Sequence, residues 1–209
     1  MTASPSQLGR PVGANAEETR RRILIAAMRC VAQVGYSQAT IREIARAAEM
    51  TSGSLYHYFP NKSELLKATG DEIEEIVAPR LRAAAAQSDD AVDRLDAVLD
   101  ESQRLIADYP YLTAFLRAVR AGSATRSRRD SPRHPESKAM RDVVTEIVAD
   151  ARARGTLSPE TDPAAVVETI CALTRGLSER AASLSPQDYE ATLGSAKKLI
   201  RGSLFARRA

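Results

Sequence analysis

Three helix-starting signals fall between residues 40 and 64, and no other feature of the chain constrains its fold as tightly. Thr40-Ile41-Arg42-Glu43 has the pattern of a capping box: the Thr hydroxyl accepts from the N3 amide while Glu43 reaches back to the amide of the cap. Ile41, Ile44, Ala45 and Ala48 follow as a short apolar stripe that ends near Glu49-Met50. Thr51 then caps a second short helix through about Tyr58, Pro60 stops it, and Asn61-Lys62-Ser63-Glu64 opens a third with Asn as cap and Glu at N3. Starts this close together leave room only for two short helices joined by a turn, with a longer helix running on from them. The small side chain of Ala45 lets the first two approach closely.

The same signals recur on either side. Ile23, Leu24, Ala27, Val31 and Val34 repeat at helical spacing, which predicts a helix from about Ala16 to Val34 with Gly35 placed to cap its end. The helix opened at Asn61 continues to about Ala86, with Gly70 and Pro79 as weak points. Further helices are expected at Asp90–Asp108, Pro110–Gly122, Glu136–Arg154, Pro163–Ser183 and Pro186–Ala206. Pro163 and Pro186 follow good caps, Asp162 and Ser185, and so fit the first helical position. Ser123–Pro135 is polar, basic and aperiodic and is expected to be a loop. With no strand pattern, the fold class is all-α. The expected organisation is a flexible arm over 1–15, a three-helix head over 16–66 and a larger helical domain over 67–209.

Composition narrows the function. Hydrophobic residues make up 44% and charged residues 27%, as in an ordinary soluble globular protein. No apolar run reaches the ~20 residues that span a bilayer, and residues 1–15 lack an apolar signal core, so no membrane partner is expected. Cys30 and Cys171 are too few for a disulfide framework, which suits a reducing cytoplasm. With only His57 and His134 beside them, no metal site and no cofactor is expected. The sequence matches no nucleophile elbow, P-loop or dinucleotide fingerprint, so it is not expected to be an enzyme. The formal charge of +3 is uneven: residues 1–70 carry nine Lys/Arg against five Asp/Glu, and the remainder 21 against 22. An anionic partner belongs at the N-terminal third.

Helix, short turn, short helix and third helix in a basic segment is the order of a helix-turn-helix DNA reader, whose second helix enters the major groove. The run from Ile44 through Leu66, with Leu55-Tyr56-His57-Tyr58-Phe59-Pro60-Asn61-Lys62 at its centre, resembles the DNA-binding head of the TetR family of bacterial repressors. Gly35-Tyr36-Ser37-Gln38-Ala39-Thr40-Ile41 also fits that family's junction between its first two helices. The resemblance covers about residues 16–66. One position departs from it: the family places Gly where this chain has Glu49, and a non-Gly residue at positive φ is strained by about 1 kcal/mol.

The resemblance implies roles for individual residues. Thr40 and Thr51 cap helices and reach phosphate. Arg42 contacts a guanine edge. Ser52, Gly53, Ser54 and His57 face bases, Gly53 by allowing close backbone approach. Tyr56 and Lys62 bind phosphate, and Leu55, Tyr58 and Phe59 form the core beneath the reader. Each has a plainer alternative: a solvated surface Arg42 or His57, a core Tyr56, caps that act only as caps, and Arg20, Arg21 and Arg22 as a solvated face.

For the remainder, the resemblance implies a small-molecule effector site and a homodimer formed through the last two helices. The apolar stripes Val166, Val167, Ile170, Leu173, Leu177, Ala181 and Leu193, Ala196, Leu199, Ile200, Leu204 serve that dimer or simply their own core. Tyr109, Tyr111, Phe115, Arg117, Arg120, Cys171 and Thr174, aromatic or polar beside apolar positions, are the candidate ligand-lining residues. The expected function is a TetR-type transcriptional repressor on a palindromic double-stranded DNA operator, released by a small, hydrophobic, unidentified effector. The alternatives are a DNA-binding protein with no effector and a helical carrier or enzyme with a vestigial head.

Overall fold

The computed structural model describes residues 12–124 and 135–202, and every regular element among them is an α-helix. In chain order these are α1 (Val12–Val34), α2 (Ile41–Ala47), α3 (Ser52–Tyr58), α4 (Lys62–Ala85), α5 (Ala91–Asp108), α6 (Leu112–Ala124), α7 (Pro135–Ala153), α8 (Pro163–Ala181) and α9 (Pro186–Ile200). The expected arm lies outside the described residues up to Pro11, as does the expected loop over 123–135 in its part 125–134, while the last helix, expected to reach Ala206, ends at Ile200 with Arg201 as its cap.

The caps form as their chemistry requires. The Thr40 hydroxyl accepts from the Glu43 amide at 3.2 Å, and the Glu43 carboxylate accepts from the Thr40 amide at 2.9 Å, which closes the box. The Asn61 side chain accepts from the Glu64 amide at 2.9 Å. Asp162 and Ser185 cap α8 and α9 in front of Pro163 and Pro186. Helix α4 runs unbroken through Gly70 and Pro79.

Three boundaries differ from the sequence reading for identifiable reasons. Helix α1 begins at Val12, four residues ahead of the expected start, because the apolar stripe marks the buried face and not the helix end. Helix α6 begins at Leu112 because Tyr109 takes a non-helical conformation (φ −126°, ψ 77°) and the Leu112 amide turns back onto its carbonyl. Helix α2 stops at Ala47, where the Glu49 amide donates to the Arg46 carbonyl and the Met50 amide to the Ala45 carbonyl. That pair of bonds is a Schellman ending, and it puts Glu49 at φ 55°. Helix α7 ends in the same way with Gly155 at φ 71° in the equivalent place.

Helices α1 to α3 and the start of α4 enclose Ile23, Ala27, Val31, Ala39, Ile44, Ala48, Leu55 and Leu65, all essentially inaccessible. Helix α4 continues into the body, where it packs on α5 and α7, and α7 packs on α8. Helix α6 lies against α1, burying Phe115 and Leu116, so one continuous apolar core joins head and body. Burying such side chains contributes about 1.5–3 kcal/mol each, which makes this the main stabilising term. Helix α9 stands partly apart. It meets α5 and α8 through Leu99, Leu177, Leu193 and Ala196, and is tied to α5 by Lys197 to Asp100 and by Arg201 to Asp93 and Asp96.

Candidate nucleic-acid interface

Only Leu55 of α3 is fully buried, so this seven-residue helix is held by one anchor and its two ends. At its start the Thr51 hydroxyl accepts from the Ser54 amide at 3.0 Å and bonds the Ser54 hydroxyl at 2.9 Å. At its end Phe59 turns under the helix, 5% exposed, with the Arg20 guanidinium 5.7 Å from its ring centre. Everything else on α3 faces outward or sideways: Gly53, Tyr56, His57 and Tyr58 are exposed, and Ser52 and Ser54 are half-buried. Arg42 and Arg46 of α2 are exposed as well.

Tyr58 corrects the sequence reading. At 37% exposure it is not part of the core beneath the reader, because the helix ends at Tyr58 and the chain turns there to bury Phe59 instead. Tyr56 is 52% exposed, which removes the core-packing alternative for it. Tyr56, His57 and Tyr58 are thus all exposed at the end of α3. The sequence signal for Tyr58 is its place two residues before the helix-ending Pro60, where the helical period no longer decides which way a side chain points.

Gly53 is informative by what it does not touch. A side chain placed there meets nothing of the protein closer than the Thr51 hydroxyl at 3.8 Å, and its φ is ordinary. The fold does not need glycine at this position.

Lys62 is half-buried. Its ammonium donates to the carbonyl of Tyr36, and to that of Ser37 at 3.3 Å, and lies 5.0 Å from the centre of the Tyr36 ring. Arg29 donates to the Ala47 carbonyl at 3.2 Å, placing a cation on the negative end of α2. Arg20 is engaged with Phe59 and with Glu72 at 3.5 Å, whereas Arg21 and Arg22 face solvent.

The expected ligand-lining residues separate into groups. Cys171 and Thr174 are buried and line a cavity of about 70 Å³ with Leu81, Leu105, Leu116 and Met140, with Arg141 and Arg175 at its polar side. Burial pushes the Cys171 thiol up, against the neighbouring Arg141, and it likewise pushes up Cys30, so both favour the protonated form. Tyr109 and Tyr111 border a different cleft, between α1, α4 and the turn into α6. Phe115 is 1% exposed within the core and lines neither. Arg117 is exposed on α6, and the side chain of Arg120 lies outside the described residues. Among the described residues no group of three or more metal-ligating side chains occurs, and no helix is long and apolar enough to cross a membrane.

Residues 23–69 match the family described as bacterial regulatory proteins, tetR family. That segment is similar to the DNA-binding head of TetR-family regulators. The matched span covers α2, α3, most of α1 and the first part of α4, the segment whose geometry is given above. Among relatives is the HTH-type transcriptional repressor KstR of Mycolicibacterium smegmatis, 37% identical over 46% of this chain and 47% of that one. Another is the transcriptional regulator TtgR of Pseudomonas putida, 39% identical over 38% and 37%. The chain thus spans under half the length of these relatives. Solved structures extend the likeness of fold to the body. A chain from Rhodococcus sp. classed with TetR-family transcriptional regulators has a TM-score of 0.67 and 26% identity, covering 88% of this chain and 98% of its own. FadR of Bacillus subtilis, solved with stearoyl-CoA, has a TM-score of 0.70 at 19% identity, covering 88% and 99%.

Proposed function

We propose that this protein is a dimeric transcriptional repressor that binds a palindromic operator and is released by a small, largely apolar effector. The observation that carries the reading is the outward face of α3: a capped, singly anchored helix with exposed Tyr56 and His57, and a Gly53 that the fold does not require. In this reading Arg42, Ser52, Gly53, Ser54 and His57 meet base edges, while Thr40, Thr51, Tyr56 and Lys62 meet the backbone. Residues 16–66 act as the DNA-binding domain and 67–209 as the effector and dimerisation domain. The division falls inside α4, so it is one of function and not a break in the fold.

Pairing of two heads is supported by the outer faces of α8 and α9. Ala165, Ala172 and Gly176 on one, and Ala191, Ser195 and Leu199 on the other, are exposed and small or apolar. A two-fold pair reads two half-sites a helical turn or more apart, which one short helix does not. The effector would enter the cavity lined by Cys171 and Thr174. Releasing DNA a hundredfold requires a preference for the released state of about 2.7 kcal/mol.

A second reading, a DNA-binding regulator with no effector, is favoured by the size of that cavity, about 70 Å³ where bound small molecules usually occupy about 300–1,000 Å³. The test is selection of bound duplexes from a random library at two salt concentrations. A palindromic winner whose preference is lost in Arg42→Ala supports the reader. Equal, salt-sensitive binding to every sequence leaves charge attraction alone and overturns it.

A further inference from the structure

A second cleft, about 200 Å³, opens where head meets body, and nothing in the reading above uses it. Its walls come from three elements: α1 (Leu24, Met28), α4 (Ile73, Ile76) and the turn into α6 (Tyr109, Tyr111). Ile25 stands at its edge 51% exposed, a large aliphatic side chain left in water beside an apolar hollow. The charges at its rim are not equivalent. Glu72 is paired with Arg20 at 3.5 Å and Asp108 with Arg80 at 2.6 Å, whereas Arg21 makes no ion pair among the described residues.

We infer that this cleft binds a small amphiphilic anion, its tail against Leu24, Ile25, Met28 and Ile76 and its head group on the Arg21 guanidinium. Charge pairing selects the occupant: the rim carboxylates Glu72 and Asp108 are already held by Arg20 and Arg80, so the rim charge left to pair is the Arg21 cation, and a neutral apolar molecule forgoes the charge-assisted contact it offers. Resting on the regulator reading, the occupied cleft also has a route to the DNA-facing helices. Tyr111 borders both this cleft and a shallow recess formed by Arg29, Arg46 and Ala47 at the end of α2. A tail that displaces Tyr111 therefore alters the seat of α2 directly.

The experiment is calorimetric titration of the full chain with decanoate and with decanol, its uncharged counterpart. Saturable decanoate binding is expected, weakened about tenfold or more in Arg21→Gln while decanol is unaffected, the loss of one hydrogen bond to a charged group. Arg82→Gln, an exposed charge elsewhere on α4, serves as the control and leaves both titrations unchanged. Ile25→Trp, at a half-exposed position the fold tolerates, fills the edge and weakens both ligands. Absence of saturable decanoate binding, or equal binding by wild type, Arg21→Gln and Ile25→Trp, overturns the inference. Anisotropy on the selected duplex is read separately: a protein with no sequence-selective binding overturns the regulator reading, and the calorimetry still judges the cleft.

Discussion

The Lys62 ammonium donates to the carbonyl of Tyr36 and lies over the ring of the same residue, 5.0 Å from its centre. With its second bond to Ser37, this fastens the first residue of α4 to the junction between α1 and α2. Lys62→Ala is expected to lower stability by about 1–2 kcal/mol, the combined loss of a charged hydrogen bond and a partly exposed cation–ring contact. Urea unfolding checks it. A purely phosphate-binding Lys62 predicts unchanged unfolding and only a shallower salt dependence of DNA binding, by about one unit of slope.

Gly53→Ala separates folding from recognition. Space for the new methyl exists, and alanine is the better helix former, so stability is expected to stay level or rise by about 0.5 kcal/mol. Operator affinity is expected to fall, because the methyl stands on the outward face of α3. Thermal unfolding and anisotropy on one preparation decide the matter; unchanged affinity removes Gly53 from the interface.

Glu49 is the non-glycine residue held at positive φ among the described residues, in the place that Gly155 fills at the end of α7. Glu49→Gly is expected to raise stability by about 1 kcal/mol by relieving backbone strain. A drop in the unfolding midpoint instead would mean that the Glu49 side chain holds the turn.

Two carboxylates should shape the acid limb of stability, and a third should oppose them. Hydrogen bonds from the Thr40 hydroxyl and amide hold the Glu43 carboxyl below its ordinary range. Burial pushes Glu101 up, but the guanidiniums of Arg104 and Arg80 overcome it and leave it lowered. A carboxyl lowered by folding stabilises fully above its unfolded pKa, about 4.3, and that contribution is lost as pH falls through the folded value. Glu74 is raised, by burial first, and one of its oxygens has no hydrogen-bond partner. Its charge costs stability at neutral pH and is relieved by acid. Glu101→Gln is expected to destabilise at pH 7 and flatten the fall below about pH 4.5, whereas Glu74→Gln is expected to stabilise at pH 7. Urea midpoints across pH 3–7 check both signs, and shifts of the same sign at pH 7 would refute the assignment.

The parts of this fold legible in the sequence are those decided within a few residues. The Thr40 box, the caps at Thr51 and Asn61, and the Asp162-Pro163 and Ser185-Pro186 starts all close bonds over two or three residues. The end of α2 was less legible because its Schellman turn carries Glu49 and not the usual glycine. The bonds of Lys62 reach across 26 residues, so no local pattern announces them. The ligand-lining expectations scattered for the same reason. Tyr109 and Tyr111 face one hollow and Cys171 and Thr174 another, a partition set by how α1, α4 and α6 cross.

Helix α4 starts in the head at Lys62 and ends at Ala85 in the body, 24 residues without a break. At 1.5 Å per residue it is a rod about 36 Å long. Used as a lever, it turns a tilt of about 5° at the body end into a displacement of about 3 Å at Lys62, roughly the length of one hydrogen bond. A change too small to disturb the body's core is therefore large enough to take a head out of register with a helical groove.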